Sequence, residues 1–258
     1  MTRRGSYGAG WRWARAMAAV LLVCGLASCG SDGGDNSSAG AAAAVDRSAT
    51  LRFGWVVEPA SLDPHAEPSV GARPYWMPLY DTLFDIGSGE VRPGLATTAT
   101  TSADGLTVTV ELRDGVTFRD GTPFDAEAVV ASLTRAAASS SGTAAAELAV
   151  ISGMRAVDPL TVELTLARPT PELTAILGGP GGAVINPRAI VEGRDLALSP
   201  GPGVGTTPYE LVEFVANQRA VYKRLEGFAD WKGDRDALAE LQIIGITDER
   251  ALLAAAQS

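Results

Sequence analysis

Alternation of apolar and polar residues predicts several strands in this chain of 258 residues. Between positions 106 and 112 every second side chain is Leu or Val, and the others are Thr or Glu. This period-two pattern is typical of a strand with one buried face. Residues 160–166 alternate in the same way, and residues 51–57 are a third candidate strand.

Turn signals and a helix signal flank the strand at 106–112. Asp-Gly pairs at 104–105, 114–115 and 120–121 each supply a glycine that accepts the positive φ of tight turns. Asp125 follows Pro123 and is placed to cap a helix whose apolar side includes Val129. The local prediction is therefore a hairpin followed by a helix.

Further elements are expected towards the C-terminus. Residues 209–215 and 220–225 predict a second hairpin, with its turn at 217–218. Residues 169–177 predict a short helix, and residues 248–257 a final helix with acids in its first turn, where they complement the helix dipole. Hairpins outnumber βαβ patterns, so the predicted class is mixed α/β, leaning towards α+β.

The N-terminus predicts the compartment. Four arginines within residues 3–15 precede an apolar run at 16–27 that is too short to cross a bilayer as a helix. The run ends in Leu-Ala-Ser-Cys, which resembles the lipobox of bacterial lipoproteins, in which the new N-terminal thiol, here Cys29, carries the lipid. The alternative is an ordinary signal peptide, or a buried helix with an unrelated cysteine.

This interpretation divides the chain into three parts. Residues 1–28 form a lipoprotein signal peptide, residues 29–48 a flexible tether rich in Gly, Ser and Ala, and residues 49–258 the folded domain. Cys24 lies in the removed segment, so Cys29 has no partner for a disulfide. The expected location is outside the cytoplasm, anchored to the cell membrane.

The charge argues against a nucleic-acid partner. The chain has 21 Lys and Arg against 30 Asp and Glu, a formal net charge of −9 at pH 7. An acidic chain without basic patches interleaved with aromatic residues is repelled by phosphate backbones. Solubility is a sufficient explanation of the acidity.

The usual catalytic and cofactor motifs are missing from the sequence. His65 is the single histidine, so neither an HExxH zinc site nor a multi-histidine metal site can form within the chain. No Gly-x-Ser-x-Gly elbow and no Gly-Lys-Ser or Gly-Lys-Thr loop occurs. The glycine clusters at 178–182 and 201–205 lack the context of a dinucleotide fingerprint and are interpreted as loops. No enzyme activity, metal or cofactor is predicted.

Some single residues remain open to two interpretations. Asp81 with Asp85, and Asp234 with Asp236, are acid pairs suited to acid–base chemistry, but solvated surface acids are the favoured interpretation. His65 lies in a turn-like segment and is interpreted as a hydrogen-bonded histidine in preference to a ligand or metal contact.

Six segments in order resemble the family 5 extracellular solute-binding proteins of ABC importers, the peptide- and nickel-binding group. We refer to them as the signature segments: Glu-Pro-Ala-Ser-Leu-Asp-Pro at 58–64, Tyr-Asp-Thr-Leu-Phe at 80–84 (resembling a helix end), Pro-Gly-Leu-Ala at 93–96, the turn-rich stretch 112–130, Gly-Thr-Thr-Pro-Tyr at 205–209 and Phe-Ala-Asp-Trp-Lys-Gly at 228–233. Each is short, and their order makes the resemblance specific.

The chain departs from the family pattern in two ways. Thr207 stands where the family's turn usually has glycine, and Ala128 where an acid commonly precedes the valine. Proteins of this family are also considerably longer. The resemblance therefore implies that residues 49–258 are the N-terminal part of a solute-binding domain: a first lobe like those of type II periplasmic binding proteins, with mixed sheets, and an incomplete second lobe.

The resemblance also implies a function. A two-lobed monomer closes on a peptide or similar small polar solute, and the closed form docks on an ABC permease. Glu58 is expected near the cleft as a ligand contact, with a surface or structural acid as its alternative. Trp76 and Tyr80 are candidates for an aromatic wall of the binding site, with core packing as their alternative.

Two other functions stay open on the sequence alone. A surface lipoprotein of this kind can act as an interaction module without transport. A secreted hydrolase is disfavoured by the missing nucleophile and metal motifs.

Overall fold

Two hydrophobic cores, each covered by its own four-stranded sheet, organise the part of the chain that the computed structural model describes. The described residues are 46–87, 89–228, 230–233 and 238–246, and all fall within one compact unit, Ala44–Ser258. The predicted signal peptide, Cys29, nearly all of the tether, the acid pair Asp234 and Asp236 and the expected final helix lie outside these residues.

Short strands and short helices alternate along the described chain. The strands are β1 (Thr50–Trp55), β2 (Phe84–Gly87), β3 (Glu90–Pro93), β4 (Ala96–Thr101), β5 (Thr107–Leu112), β6 (Ile151–Asp158), β7 (Thr161–Leu166), β8 (Tyr209–Val215), β9 (Arg219–Arg224) and β10 (Glu240–Gly245). The helices are α1 (Arg73–Trp76), α2 (Ala126–Ala137), α3 (Ala144–Leu148), α4 (Leu173–Ile176) and α5 (Pro187–Val191), with 3₁₀ turns at Val70–Ala72 and Pro180–Gly182.

The first sheet has the strand order β1-β10-β9-β8. Strand β1 runs parallel to β10, and the other neighbours are antiparallel. Its inner face packs against α1 and α5 to form the first core, which includes Tyr75, Trp76, Tyr222 and Ile243. The β8–β9 hairpin is confirmed, and Asn217 adopts a φ of 58° at its turn, a conformation that asparagine tolerates.

The second sheet has the order β4-β5-β7-β6 and is antiparallel throughout. Both strands with the clearest alternation, β5 and β7, are its central neighbours, and Val110 pairs with Val162 on the buried face. Helix α2 covers this face with Val129 and Leu133, which are almost fully buried. These residues form the second core.

The helix start predicted at Asp125 is confirmed. The Asp125 carboxylate accepts a 2.9 Å hydrogen bond from the backbone N–H of Ala128, which satisfies a donor that the first helical turn leaves free. The glycines of the three Asp-Gly pairs, Gly105, Gly115 and Gly121, all have positive φ, as the turn prediction requires.

Several predicted boundaries were wrong. The helix expected at 169–177 is only Leu173–Ile176. The segment at 80–84 is not a helix end, because α1 stops at Trp76 and the chain enters β2 at Phe84. Pro78 lies two residues after the end of α1 and lacks the N–H that a longer helix needs. None of the described helices has the length and apolarity of a membrane span.

Candidate ligand-binding site

A pocket of about 380 Å³ opens where the two cores meet. We call it the apolar pocket. It is lined by Glu67, Ser69, Val70, Arg73, Trp76, Ile86, Thr143, Glu147, Glu172, Ala175, Ile176, Gly179 and Pro180. Helix α1 contributes from the side of the first core, while β2, α3 and α4 contribute from the side of the second. A concave site with mainly apolar walls and a few polar groups is the usual form of a small-molecule site.

The polar groups of the apolar pocket are mostly carboxylates. Glu67 is fixed by the backbone, since its two oxygens accept 2.7 Å hydrogen bonds from the N–H groups of Ser61 and Ser69. Glu147 lies in α3, and its Oε2 is buried without a hydrogen-bond partner. Glu172 is exposed at the start of α4 and makes no capping bond there.

The glycine cluster at 178–182 shapes the wall of the apolar pocket. A Cβ on Gly178 would lie 2.6 Å from Cγ1 of Ile86, and a Cβ on Gly182 would lie 1.9 Å from the carbonyl oxygen of Leu177. Both positions therefore require glycine for close packing. The cluster is a loop, as the sequence predicts, but it is tightly packed and includes the 3₁₀ turn Pro180–Gly182.

A second pocket of about 330 Å³ shares Arg73 and Trp76 with the first. We call it the polar pocket. Its remaining lining residues are Met77, Tyr80, Asp81, Thr82, Asp85, Pro93, Gly94, Arg113, Trp231 and Lys232. Part of its charge is already engaged within the pocket, because Lys232 forms an ion pair with Asp81 and the Arg113 guanidinium lies 4.6 Å from the ring centre of Trp231.

Asp81 is the centre of this network. Its side chain is only 3% exposed and accepts hydrogen bonds from Thr206 Oγ1 at 2.7 Å and from Trp231 Nε1 at 2.9 Å. The interpretation of Asp81 as a solvated surface acid was therefore wrong, whereas Asp85 is exposed. The physical reason is that three donors replace the water that a buried carboxylate loses.

Five of the six signature segments contribute to the polar pocket or to the Asp81 network. Gly94 approaches the carbonyl oxygen of Thr82 so closely that a Cβ would lie 2.5 Å from it. A Cβ on Gly205 would lie 2.1 Å from the carbonyl oxygen of Leu79. The signature segments thus join the two cores, and packing requires glycine at positions 94 and 205.

The remaining signature segment, at 58–64, also contributes to the contact between the two cores. The Asp63 carboxylate forms a two-point ion pair with the Arg135 guanidinium of α2. His65 is fully buried, with Nε2 at 2.9 Å from the carbonyl oxygen of Ala183 and Nδ1 at 2.9 Å from Arg135 Nη1. A neutral ring that donates from Nε2 and accepts at Nδ1 satisfies both contacts.

The electrostatics of His65 agree with this arrangement. Burial lowers the pKa of His65 to about 4, an effect that the Ala183 carbonyl and the Asp63 carboxylate oppose and that the Arg135 charge reinforces. Burial also raises the pKa of Tyr80, which lies near the same pair. The interpretation of His65 as a hydrogen-bonded histidine matches its contacts.

The three predicted ligand contacts do not come together. Trp76 lines both pockets, and Tyr80 lines the polar pocket, but both are about 2% exposed and belong to the first core. Glu58 lines neither pocket; its Oε1 accepts a 2.7 Å hydrogen bond from the N–H of Asn217 in the β8–β9 turn. A ligand role for these residues stays a prediction.

Several residues of the apolar pocket could not be predicted from the sequence, Glu147, Glu172 and Ile176 among them. They lie in the short helices α3 and α4 or, for Glu172, directly before α4, and these elements carry no motif, so only the glycine cluster beside them was a usable signal. Within the described residues, no group of three or more His, Cys, Asp or Glu is arranged to hold a metal ion.

The apolar pocket has the concave, mainly apolar form of a small-molecule site. Comparison with known proteins identifies the family of the chain. Residues 90–258 match the family model described as bacterial extracellular solute-binding proteins, family 5 Middle. The chain therefore belongs to family 5 of the bacterial extracellular solute-binding proteins. This confirms the family resemblance and, at the level of the family, the prediction of a protein that is not an enzyme.

Individual relatives agree with this assignment. The glutathione-binding protein GsiB of Salmonella paratyphi A is 33% identical over 201 residues, which are 77% of this chain and 38% of that protein. The Escherichia coli murein tripeptide binding protein MppA is 26% identical with a TM-score of 0.72, and the match covers 81% of this chain and 44% of that one. A nickel ABC transporter protein from Bacillus halodurans is 30% identical with a TM-score of 0.65, over 81% and 42%.

These similarities confirm the predicted fold class, because such structures are type II periplasmic binding proteins. The chain spans less than half the length of the relatives that it matches.

Proposed function

We propose that this chain provides one lobe of a solute-binding protein that captures a peptide or similar small polar solute for an ABC importer. The apolar pocket is the observation that carries this proposal, because it joins apolar walls with a buried carboxylate oxygen, Oε2 of Glu147, that has no hydrogen-bond partner. The names of the relatives refer to glutathione binding, murein tripeptide binding and a nickel ABC transporter, and they support a small solute.

Capture in this class of fold is a population shift. A solute that touches two lobes stabilises the closed state over the open state, and the closed state is what a permease distinguishes. The ABC permease partner, the monomeric state and the extracytoplasmic location of this chain are part of the proposal. So is lipid anchoring through Cys29, which rests on the sequence Leu-Ala-Ser-Cys at 26–29.

The domain division is proposed on the same basis. A signal peptide at 1–28 and a tether at 29–48 would place the folded domain, 49–258, just outside the membrane. Mass spectrometry of the protein expressed in a bacterium tests this part, with cleavage before Cys29 and a lipid on its thiol as the expected result. An unmodified N-terminus would refute it, and a Cys29→Ala variant is the control.

Blocking the apolar pocket tests the binding function. Ala175 lines the pocket in α4, and an Ala175→Phe substitution fills part of its volume. We expect this variant to lose binding of glutathione and tripeptide probes, measured by isothermal titration calorimetry. The matched control is Ala137→Phe at an exposed position of α2. Equal binding by both variants would exclude the apolar pocket as the solute site.

A further inference from the structure

The apolar pocket has an excess of negative charge. Three carboxylates line it, those of Glu67, Glu147 and Glu172, against the single guanidinium of Arg73. Arg73 is shared with the polar pocket, where Asp81 and Asp85 also lie, and its Nε points to the sulfur of Met77 at 3.1 Å. The charge of Arg73 is therefore distributed between the two pockets and does not balance the three acids.

Glu147 is the carboxylate that the protein leaves uncompensated. Its Oε2 is buried without a hydrogen-bond partner, and its Oε1 forms no hydrogen bond with any described residue. No Lys or Arg in the described ranges lies within ion-pair distance of it. A buried or half-buried carboxylate without donors is unfavourable, so a donor from outside the chain has a large effect at this position.

The two other acids are less available to a ligand or more exposed to water. Both oxygens of Glu67 already accept backbone hydrogen bonds, which leaves less capacity for a ligand. Glu172 is exposed at the rim, where water screens its charge. Glu147 is thus the anchor, and Glu172 adds to the field at the entrance.

Gly179, which has no side chain, forms the wall of the apolar pocket next to Glu147. A Cβ on Gly179 would lie 3.3 Å from Glu147 Oε2 and 3.2 Å from the carbonyl oxygen of Ile176, tighter than ordinary van der Waals contact. Gly179 therefore leaves free the space beside the carboxylate. The neighbouring walls, from Ile86, Ile176 and Trp76, are apolar.

We propose that the apolar pocket selects solutes in which a protonated amine is attached to an apolar chain. The ammonium donates to the carboxylate of Glu147, and the apolar chain lies along Ile86, Ile176 and Trp76. This inference rests on the proposed binding function and specifies the chemical class of its solute. Charge-assisted hydrogen bonds are the stronger ones, and burial in an apolar wall increases their contribution.

Three probes with the same carbon skeleton separate charge from shape: n-hexylamine, hexanamide and hexanoate. Their dissociation constants for the 258-residue chain are measured by NMR titration at pH 7. We expect the amine to bind about tenfold more tightly than the amide, since hydrogen bonds to charged groups have that magnitude, and hexanoate to bind most weakly.

Variants that each remove one negative charge show which carboxylate causes the preference for the amine over the amide. Glu147→Gln keeps the shape of the side chain and is expected to bind hexylamine and hexanamide equally. Glu172→Gln is expected to weaken amine binding only about twofold, since exposed charges contribute little. Glu127→Gln, at an exposed position of α2 that does not line the apolar pocket, is the matched control and keeps the full preference. Circular dichroism confirms that each variant folds.

The outcomes distinguish this inference from the proposed function. If the amide binds as tightly as the amine, or if Glu147→Gln keeps the preference for the amine, the charge selection is overturned while binding in the pocket stands. If none of the three probes binds the unchanged chain, the charge selection is overturned, while the proposed function is decided separately by the binding of glutathione and tripeptides. Loss of all probe binding in Ala175→Phe, together with an amine preference that depends on Glu147, supports both.

Discussion

Asp63, in the segment after β1, and Arg135, in helix α2, form a two-point ion pair between elements that belong to different cores. The Asp63 side chain is 7% exposed and that of Arg135 is 28% exposed. Water can therefore hydrate these charges only in part if the ion pair is removed. The Asp63–Arg135 ion pair therefore links the two cores.

Removing the Asp63–Arg135 ion pair is expected to destabilise the folded chain. Asp63→Asn leaves Arg135 without its carboxylate in a largely buried place, and we expect a loss of about 3 kcal/mol in the free energy of unfolding. Urea unfolding followed by circular dichroism measures it. Arg155→Met serves as the control, because it removes the exposed ion pair between Arg155 and Glu163, which is worth less than about 1 kcal/mol. A similar loss in the free energy of unfolding in both variants would contradict the role of the Asp63–Arg135 ion pair in linking the cores.

His65 is expected to make stability depend on pH. The folded chain keeps it neutral down to about pH 4, whereas an unfolded chain protonates it near its ordinary pKa of 6.5. Between these values the unfolded state binds more protons, so the contribution is complete above pH 6.5 and is lost as the pH falls towards 4. We expect a loss of about 2–3 kcal/mol from this residue across that window.

A His65→Gln variant isolates the effect of the histidine. Glutamine retains a donor for the Ala183 carbonyl but does not titrate, so its free energy of unfolding should fall less between pH 7 and pH 4. Urea unfolding at several pH values measures the difference. Parallel curves for the two proteins would show that His65 does not cause the dependence.

Asp81 and Asp85 are expected to contribute very differently to the free energy of unfolding. Asp81→Asn removes the charge that Lys232 and Trp231 contact, and we expect a loss of about 2 kcal/mol. Asp85→Asn changes an exposed acid and should alter stability by less than about 0.5 kcal/mol. Thermal unfolding of both variants decides between a buried network and two surface acids; equal effects would rule out the network.

Gly182 is expected to tolerate no side chain. A Cβ there would lie 1.9 Å from the backbone carbonyl oxygen of Leu177, which cannot move aside as a flexible side chain can. We expect Gly182→Ala to cost about 3 kcal/mol or more, or to prevent folding. Gly87→Ala is the control, since nothing lies within 4 Å of a Cβ at that position. Soluble yield and melting temperature are the measurements, and a stable Gly182→Ala protein would contradict the packing.

The elements that could be predicted from the sequence are those whose signals are local. The alternation in β5 and β7, the Asp125 cap and the turn at Asn217 each depend on residues a few positions apart. The strand β10 and the short helices α3 and α5 were not predicted, because their formation depends on packing and pairing with distant segments.

The signature segments determined the family from the sequence, but they identified a scaffold. In the structure they hold the two cores together through Asp63, Asp81 and the close approaches at Gly94 and Gly205. Short motifs of this kind are recognisable because one residue type alone fits each contact.

The candidate site depends on the tertiary structure instead. The carboxylate of Glu147, the apolar side chain of Ile86 and the bare backbone of Gly179 come from three separate parts of the chain. Such residues share no spacing or period in the sequence, because only the tertiary fold brings α3, β2 and the segment after α4 to one pocket. The same holds for the burial of Asp81, which is decided by donors about 125 and 150 residues away.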